Sequence, residues 1–282
     1  PAFSPLFGFM RHTQKSYHMK KKFFIAFCSL LPALHVFGWG QKGHDVTAYI
    51  AECHLTPAAA DSVSAILDGR SLVYWANWLD NASYQPDYRY TKTWHYKNID
   101  AGTDYADAPI NPDGDVVTGI NEQIDVLKGN SSRTRKALAL KILTHLLGDL
   151  HQPLHLGHAS DRGGNEVKIK FFDNETKLHS AWDSKLPEAA HKWSYSEWQQ
   201  QIDRLSPDAE SEVTAGTPDD WARETAEIAT RVYNYFPKGS RMSYNQIAYW
   251  TPVVEQQFLR GGLRLASLLN SIFASDTNDD KQ

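Results

Sequence analysis

His145-Leu-Leu-Gly-Asp149-Leu-His-Gln-Pro-Leu-His155 is the stretch on which the reading of this chain turns. Its first part is mostly apolar, and His145 and Asp149 stand four residues apart within it. At about 3.6 residues per turn, that spacing projects both side chains from one helix face, where they can grip one ion. Pro153 then ends the helix, and His155 follows just beyond it. The spacing recurs in His179-Ser-Ala-Trp-Asp183. Histidine nitrogen and carboxylate oxygen without cysteine make the donor set of a catalytic zinc site rather than a structural one.

Outward from this stretch, most of the chain carries helical signals. Helices are expected over roughly 42–53, 57–68, 72–79, 116–128, 134–150, 180–190, 194–205, 218–235 and 252–273. Thr56-Pro57, Thr217-Pro218 and Thr251-Pro252 supply start signals, a capping hydroxyl followed by proline in the first turn. A hairpin is expected over 165–178, where Glu166-Val-Lys-Ile-Lys-Phe171 alternates and Asp173-Asn174 can turn. No repeat or low-complexity linker divides the chain. The fold class is therefore all-α, a single mainly helical domain with a short β-hairpin. The tryptophans serve chiefly as core, with Trp94 among those able to line a base-stacking cleft.

The chain has 282 residues, and the working protein is expected to be shorter. Residues 19–38 open on Met19-Lys-Lys-Lys22, run through an apolar stretch and carry Val36 and Gly38 where signal peptidase wants small residues. The apolar run is too short, and too interrupted by Pro32, to span a bilayer. Residues 1–18 then read as upstream sequence foreign to the working protein, 39–274 as the functional domain and 275–282 as a polar, frayed tail. The first 38 residues hold five basic residues and no acid, so their removal moves the formal charge from −4 to −9. Such acidity excludes a broad basic patch for nucleic acid, so a phosphate-ester substrate must find its positive charge in metal. Cys28 lies in the segment to be removed, and Cys53, left alone, has no partner for an intramolecular disulfide. The expectation is a monomer, secreted or periplasmic, with no membrane anchor after processing.

His54, His158 and His191 have no partner at ligand spacing and read as structural or surface residues. His151 lies six residues beyond His145 and points off its face, which suits a residue supporting the ligands. The remaining motifs are Trp39-Gly-Gln-Lys-Gly-His44, Trp78-Leu-Asp80, Trp94-His95-Tyr96 and Arg162-Gly-Gly-Asn165. In this order and density, from Trp39 to about Ala274, the chain resembles the zinc-dependent single-strand nucleases and 3′-nucleotidases of the S-one/P-one type. These share a fold with bacterial zinc phospholipase C. That enzyme is the alternative reading, acting on phospholipid head groups, but its last metal pair typically ends in glutamate where this chain has Asp183. A zinc-binding protein without catalysis is the second alternative.

The resemblance implies three zinc ions. Asp80, His95, His145 and Asp149 would hold one. Asp149 would bridge to a second, completed by His44 and by the α-amino group and carbonyl oxygen of Trp39. His155, His179 and Asp183 would hold the third. Asp80 and Asp149 are thus the candidate catalytic residues as well as ligands, since a hydroxide bridging the close zincs would attack phosphorus. The implied substrates are single-stranded DNA and RNA, cut endonucleolytically to 5′-phosphate products, and 3′-nucleotides, which would lose their phosphate. Tyr96 would stack the base, and Asn98 and Asn165 would bond its edge. Family members commonly carry a basic residue three positions after the aspartate of Trp-x-Asp. Here Ser83 stands there, and Lys92 or Arg89 would substitute from the next loop.

Overall fold

Thr56, Ser71, Asp115, Ser132, Ser194, Ser206 and Thr217 each turn a side-chain oxygen onto a free backbone N–H at the start of a helix. The computed structural model describes residues 39–274. The expected upstream segment, signal peptide and tail lie outside the described residues. Among those described, the helices are α1 (Gln41–Cys53), α2 (Pro57–Ile66), α3 (Leu72–Trp75), α4 (Trp78–Ala82), α5 (Val116–Lys128) and α6 (Arg133–Leu150). They continue with α7 (Leu178–Ser180), α8 (Leu186–Ala190), α9 (Tyr195–Ile202), α10 (Pro207–Thr214), α11 (Pro218–Tyr235) and α12 (Tyr244–Phe273). Strands β1 (Lys168–Phe171), β2 (Asn174–Lys177) and β3 (Arg241–Met242) complete the set. The mainly helical class with a short hairpin is what the structure shows.

From Ala139 to Leu150, every residue of α6 except Lys141 is buried. A helix apolar on all sides belongs at the centre of a domain, and α6 packs against α1, α5 and α12. One apolar cluster joins α5 and α6 through Ile120, Leu127, Leu143 and Leu147. A second gathers Trp39, Trp182, Trp198, Trp250 and Phe258. Helix α1 serves both, giving Ala48 and Ala51 to the first and Val46 and Ile50 to the second. Gly262 of α12 lets the long helix lie directly on α1, since a Cβ there would stand 2.5 Å from that of Ile50.

Several boundaries differ from expectation. Thr251-Pro252 does not start a helix. Helix α12 begins eight residues earlier at a Ser243/Gln246 capping box and runs through Pro252. Thr251 donates its hydroxyl to the Ile247 carbonyl at 2.7 Å, which binds up one acceptor near the break. Helix α10 was not anticipated, although Ser206-Pro207 is the same start signal as Thr56-Pro57. The expected helix over 72–79 breaks at Ala76-Asn77 into α3 and α4. The expected helix over 180–190 contains a π-type turn at Ala181–Lys185. The hairpin pairs Lys168 with Lys177 and Phe171 with Asn174, and turns at Phe172-Asp173 rather than Asp173-Asn174. Phe172 takes the left-handed conformation there, with φ of 54°. β3 adds a parallel third strand on β1.

Candidate metal centre

Helix α6 presents His145 and Asp149 on one face, with Gly148 beside them. A Cβ at Gly148 would stand 2.5 Å from Nδ1 of His44, so only glycine admits that ring. His44, from α1, thereby stacks on His145 with ring centroids 4.0 Å apart. His145 donates Nδ1–H to the Ala76 carbonyl at 2.7 Å, which leaves the Nε2 lone pair facing inward. That Nε2 lies 3.4 Å from Oδ1 of Asp80 and 3.2 Å from Oδ2 of Asp149. Nδ1 of His95 joins it, 2.9 Å from Oδ2 of Asp149 and 4.0 Å from Oδ1 of Asp80. Oδ1 of Asp149 faces the other way, 3.5 Å from His44 Nε2 and 3.5 Å from His155 Nδ1.

A further group assembles His155, His179 and Asp183. Nε2 of His179 is 3.1 Å from Oδ2 of Asp183, and its Nδ1–H is donated to the Gly163 carbonyl at 2.5 Å. His155 donates Nδ1–H to the His95 carbonyl, linking the groups through the backbone. Gln152 is fully buried and donates its amide to Oδ1 of Asp183, while its oxygen accepts from Leu154 N at 2.6 Å. Gln152 has no place in the sequence reading; its signal was its position between two ligands of one motif. At the start of the described chain, Gly40 N donates to the Asp183 carbonyl at 2.9 Å. The indole of Trp39 is fully buried edge-on to Phe258, 4.7 Å between centroids.

The electrostatics are those of opposed charges held out of water. Burial alone would raise the pKa of Asp149, but the His145 and His155 imidazoles hold it well below the usual carboxylate range. Burial likewise opposes charge on His145, yet Asp149 and Asp80 hold it well above its ordinary value. Asp80 follows Asp149, lowered by His145 against its burial. Burial pushes His155 down to about 4 and Asp183 up to about 6, while burial and the neighbouring His145 lower His44. Both ring nitrogens of His44, Nε2 of His95, and one oxygen each of Asp80 and Asp149 are buried without a hydrogen-bond partner. Such orphaned groups cost about 1–3 kcal/mol each. Divalent cations would engage one nitrogen of His44 and the orphaned oxygens of Asp80 and Asp149, and the nitrogen–oxygen donor set fits zinc.

Tyr96, Asn98, Arg162 and Gly163 line a cavity of about 90 Å³ that reaches His179. Burial raises the Tyr96 pKa, against the pull of the Arg162 cation. Arg162, Gly163 and Gly164 are three consecutive left-handed residues, at φ of 58°, 63° and 79°. The loop is clamped by Asp161, whose Oδ1 accepts from Gly164 N at 2.7 Å and from the Tyr233 hydroxyl at 2.8 Å. Asn165 is buried behind this cavity and donates its amide to the Arg162 carbonyl at 3.0 Å. The structure thus brings Tyr96 and Asn98 to the cavity with Arg162, and Asn165 follows on the same loop.

His151 stands apart from the ligands. It donates Nδ1–H to the Leu147 carbonyl and takes its second bond from Arg264, which with burial keeps it neutral. His158 stacks on Tyr233 and His191 on Trp193. Ser83 is buried against the Asp80 carbonyl, while Lys92 lies over the Tyr84 ring at 4.4 Å. Burial and, after it, Asp80 raise the Tyr84 pKa.

A helical domain with three interior His/carboxylate groups has the donor chemistry of a metal-binding scaffold. Residues 39–274 match the family described as S1/P1 Nuclease, and the chain belongs to that family. It is 28% identical to Endonuclease 2 of Arabidopsis thaliana over 86% of this chain and 93% of that protein. It is 30% identical to Nuclease S1 of Aspergillus oryzae over 70% of this chain and 71% of the relative. Nuclease P1 of Penicillium citrinum is 28% identical over 84% of this chain and 99% of its own length.

Proposed function

We propose that this protein is an exported zinc nuclease that cuts single-stranded DNA and RNA to 5′-phosphate products and removes phosphate from 3′-nucleotides. The observation that carries the reading is Asp149, whose two oxygens face His44 and His155 on one side and His95 and His145 on the other. Asp80, His95, His145 and Asp149 would hold one ion. His44 and Asp149 would hold a second with the amino group and carbonyl oxygen of Trp39, and His155, His179 and Asp183 a third. Zinc bound there acidifies water into the neutral range and polarises phosphoryl oxygens as a Lewis acid.

The chain's own groups do the rest. The Ala76, His95 and Gly163 carbonyls fix the tautomers of His145, His155 and His179, and Gln152 fixes one oxygen of Asp183. Tyr96 stacks the base, and Asn98 and Asn165 bond its edge, with Arg162 as the cation of the pocket. A base reaches this recess only when turned out of its stack, which a duplex resists by a few kcal/mol (roughly,). None of the helices of the described residues is long and apolar enough to cross a membrane.

The test is to strip metal, restore zinc, and assay single-stranded DNA, a 3′-nucleotide and phosphatidylcholine in parallel. Zinc-restored hydrolysis of the first two supports the reading; hydrolysis of the lipid alone makes the protein a phospholipase, and full activity in excess chelator removes zinc from the account. The part of the amino terminus is tested at Trp39. A version with one residue added ahead of it should bind less zinc and hydrolyse far more slowly, because an amide nitrogen lacks the basic lone pair of an amine. Equal zinc and equal rates would show that the amino group is no ligand.

A further inference from the structure

We propose that a ribbon of aromatic rings and cations, leading away from Asp80 across α3, α4 and the start of α6, is a track for one nucleic-acid strand beyond the reacting nucleotide. The proposal rests on the nuclease reading for its purpose, and on the following geometry for its existence. Tyr74, Trp75, Trp78 and Tyr88 form a continuous series of edge-to-face contacts, with centroids 4.8, 6.4 and 5.0 Å apart. Lys141 lies 3.4 Å over the Trp75 ring and 5.5 Å from that of Trp78, and Arg70 lies 4.3 Å over Tyr74. Trp78, Tyr88, Arg135 and Lys141 line one surface cleft of about 520 Å³. From Tyr88 the 3₁₀ segment Pro86–Thr93 leads to Lys92, which covers Tyr84, four residues past Asp80 in the chain. The four residue steps from Tyr88 to Lys92, at about 2 Å each, cover roughly 8 Å.

The charge pattern selects the occupant. Arg133 of the cleft is answered by Asp68, but Arg70, Lys92, Arg135 and Lys141 have no carboxylate within ion-pair distance among the described residues. Tyr74 and Tyr84 remain 57% and 41% exposed, which leaves apolar ring surface in water. Rings and unpaired cations along one line suit a strand whose bases are unstacked and whose phosphates run beside them. A duplex offers the phosphates but withholds the base faces.

The experiment uses the zinc-loaded protein beginning at Trp39 and 5′-fluorescein oligothymidylates with phosphorothioate linkages. Affinities for a 20-mer and a 4-mer are measured by anisotropy at several salt concentrations, with a 20-base-pair duplex as control. The wild type should hold the 20-mer at least about tenfold more tightly than the 4-mer. Arg135→Gln/Lys141→Gln should remove most of that advantage and flatten the log–log salt slope by about 1.4 for two lost phosphate contacts. Tyr88→Ala should weaken the 20-mer at least about fivefold. Binding of the 4-mer and hydrolysis of a 3′-nucleotide should stay within twofold, which also certifies the fold. Unchanged 20-mer affinity and salt slope in the double variant overturn the track, as does a wild type that binds 20-mer and 4-mer alike, or the duplex as well as the strand. Strand-selective binding lost in the variants, with no cleavage of ordinary oligonucleotides by the wild type, would sustain the track and discard the nuclease reading instead.

Discussion

Two clusters of histidine and carboxylate in this protein have nearly the same composition and opposite character. Around Asp149 the groups are fully buried, and several of their polar atoms have no hydrogen-bond partner. Around His54, at the end of α1, the groups are half-exposed. His54 Nε2 meets Asp203 Oδ2 at 2.8 Å, Glu210 approaches Nδ1 at 3.6 Å, and Gln199 donates to Asp203 at 2.8 Å. The second cluster is satisfied as it stands, an imidazole held between two acids. The first keeps buried nitrogens and oxygens without a hydrogen-bond partner, the donor set a cation could take up. What separates a metal centre from an ion-pair cluster is therefore burial together with unspent lone pairs, not the residue types.

The largest test of the contrast is Asp149→Ala. Losing the carboxylate that faces every group should lower activity by about three orders of magnitude or more and reduce zinc content. Measured kcat with metal analysis decides it, and a variant with full zinc and modest loss would erase the distinction between the clusters. Gly148→Ala comes next. The added methyl displaces the His44 ring, and a shift of about 1 Å at such a centre costs on the order of a hundredfold. A near-normal rate would show that His44 is not needed in place. Tyr96→Ala marks the edge of the buried region and should weaken substrate by about 1–3 kcal/mol at unchanged zinc content. Equal loss of metal would make Tyr96 structural.

His54→Ala should matter least, about 0–1 kcal/mol after solvent screening. The bond to Asp203 raises the His54 pKa, so its contribution is complete below the ordinary value of 6.5 and fades as pH rises through the raised one. Asp203 is buried enough to be pushed up, yet His54 lowers it, so its share is complete above 3.8 and fades as pH falls through the lowered value. The stability difference between wild type and variant should thus be widest near pH 5 and shrink by pH 8.5. Chemical denaturation at both values measures it, and a gap that grows with pH would contradict the pairing.

These contrasts also mark how far the sequence could be read. The i,i+4 pairs were legible because helical periodicity is local, and both pairs meet as that spacing requires. Asp80 and His95 could be assigned to one ion with His145 only through the family resemblance, since they meet it from 65 and 50 residues away in the chain. His54 looked partnerless because Asp203 and Glu210 arrive from 149 and 156 residues on. His151 was placed in support of the ligands, but its partner is Arg264, which no spacing could announce. Pro252 shows the limit of a start signal. A proline after threonine opens a helix only if no earlier cap has already done so, and Ser243 with Gln246 had. Strand β3 is two residues long and pairs with a strand some 70 positions away, below any local signal.

The reach of Asp149 has one more consequence, for how the residues around it can be assigned shares of the work. His44 and His155 arrive from different elements, but each faces the same Oδ1 at 3.5 Å. Removing either changes the surroundings in which the other's contribution is defined. Their effects cannot be summed as for independent sites, because residues joined through a shared partner carry an interaction energy of their own. The unit of inheritance at this centre is accordingly the whole constellation: a substitution at one histidine sets the worth of the next.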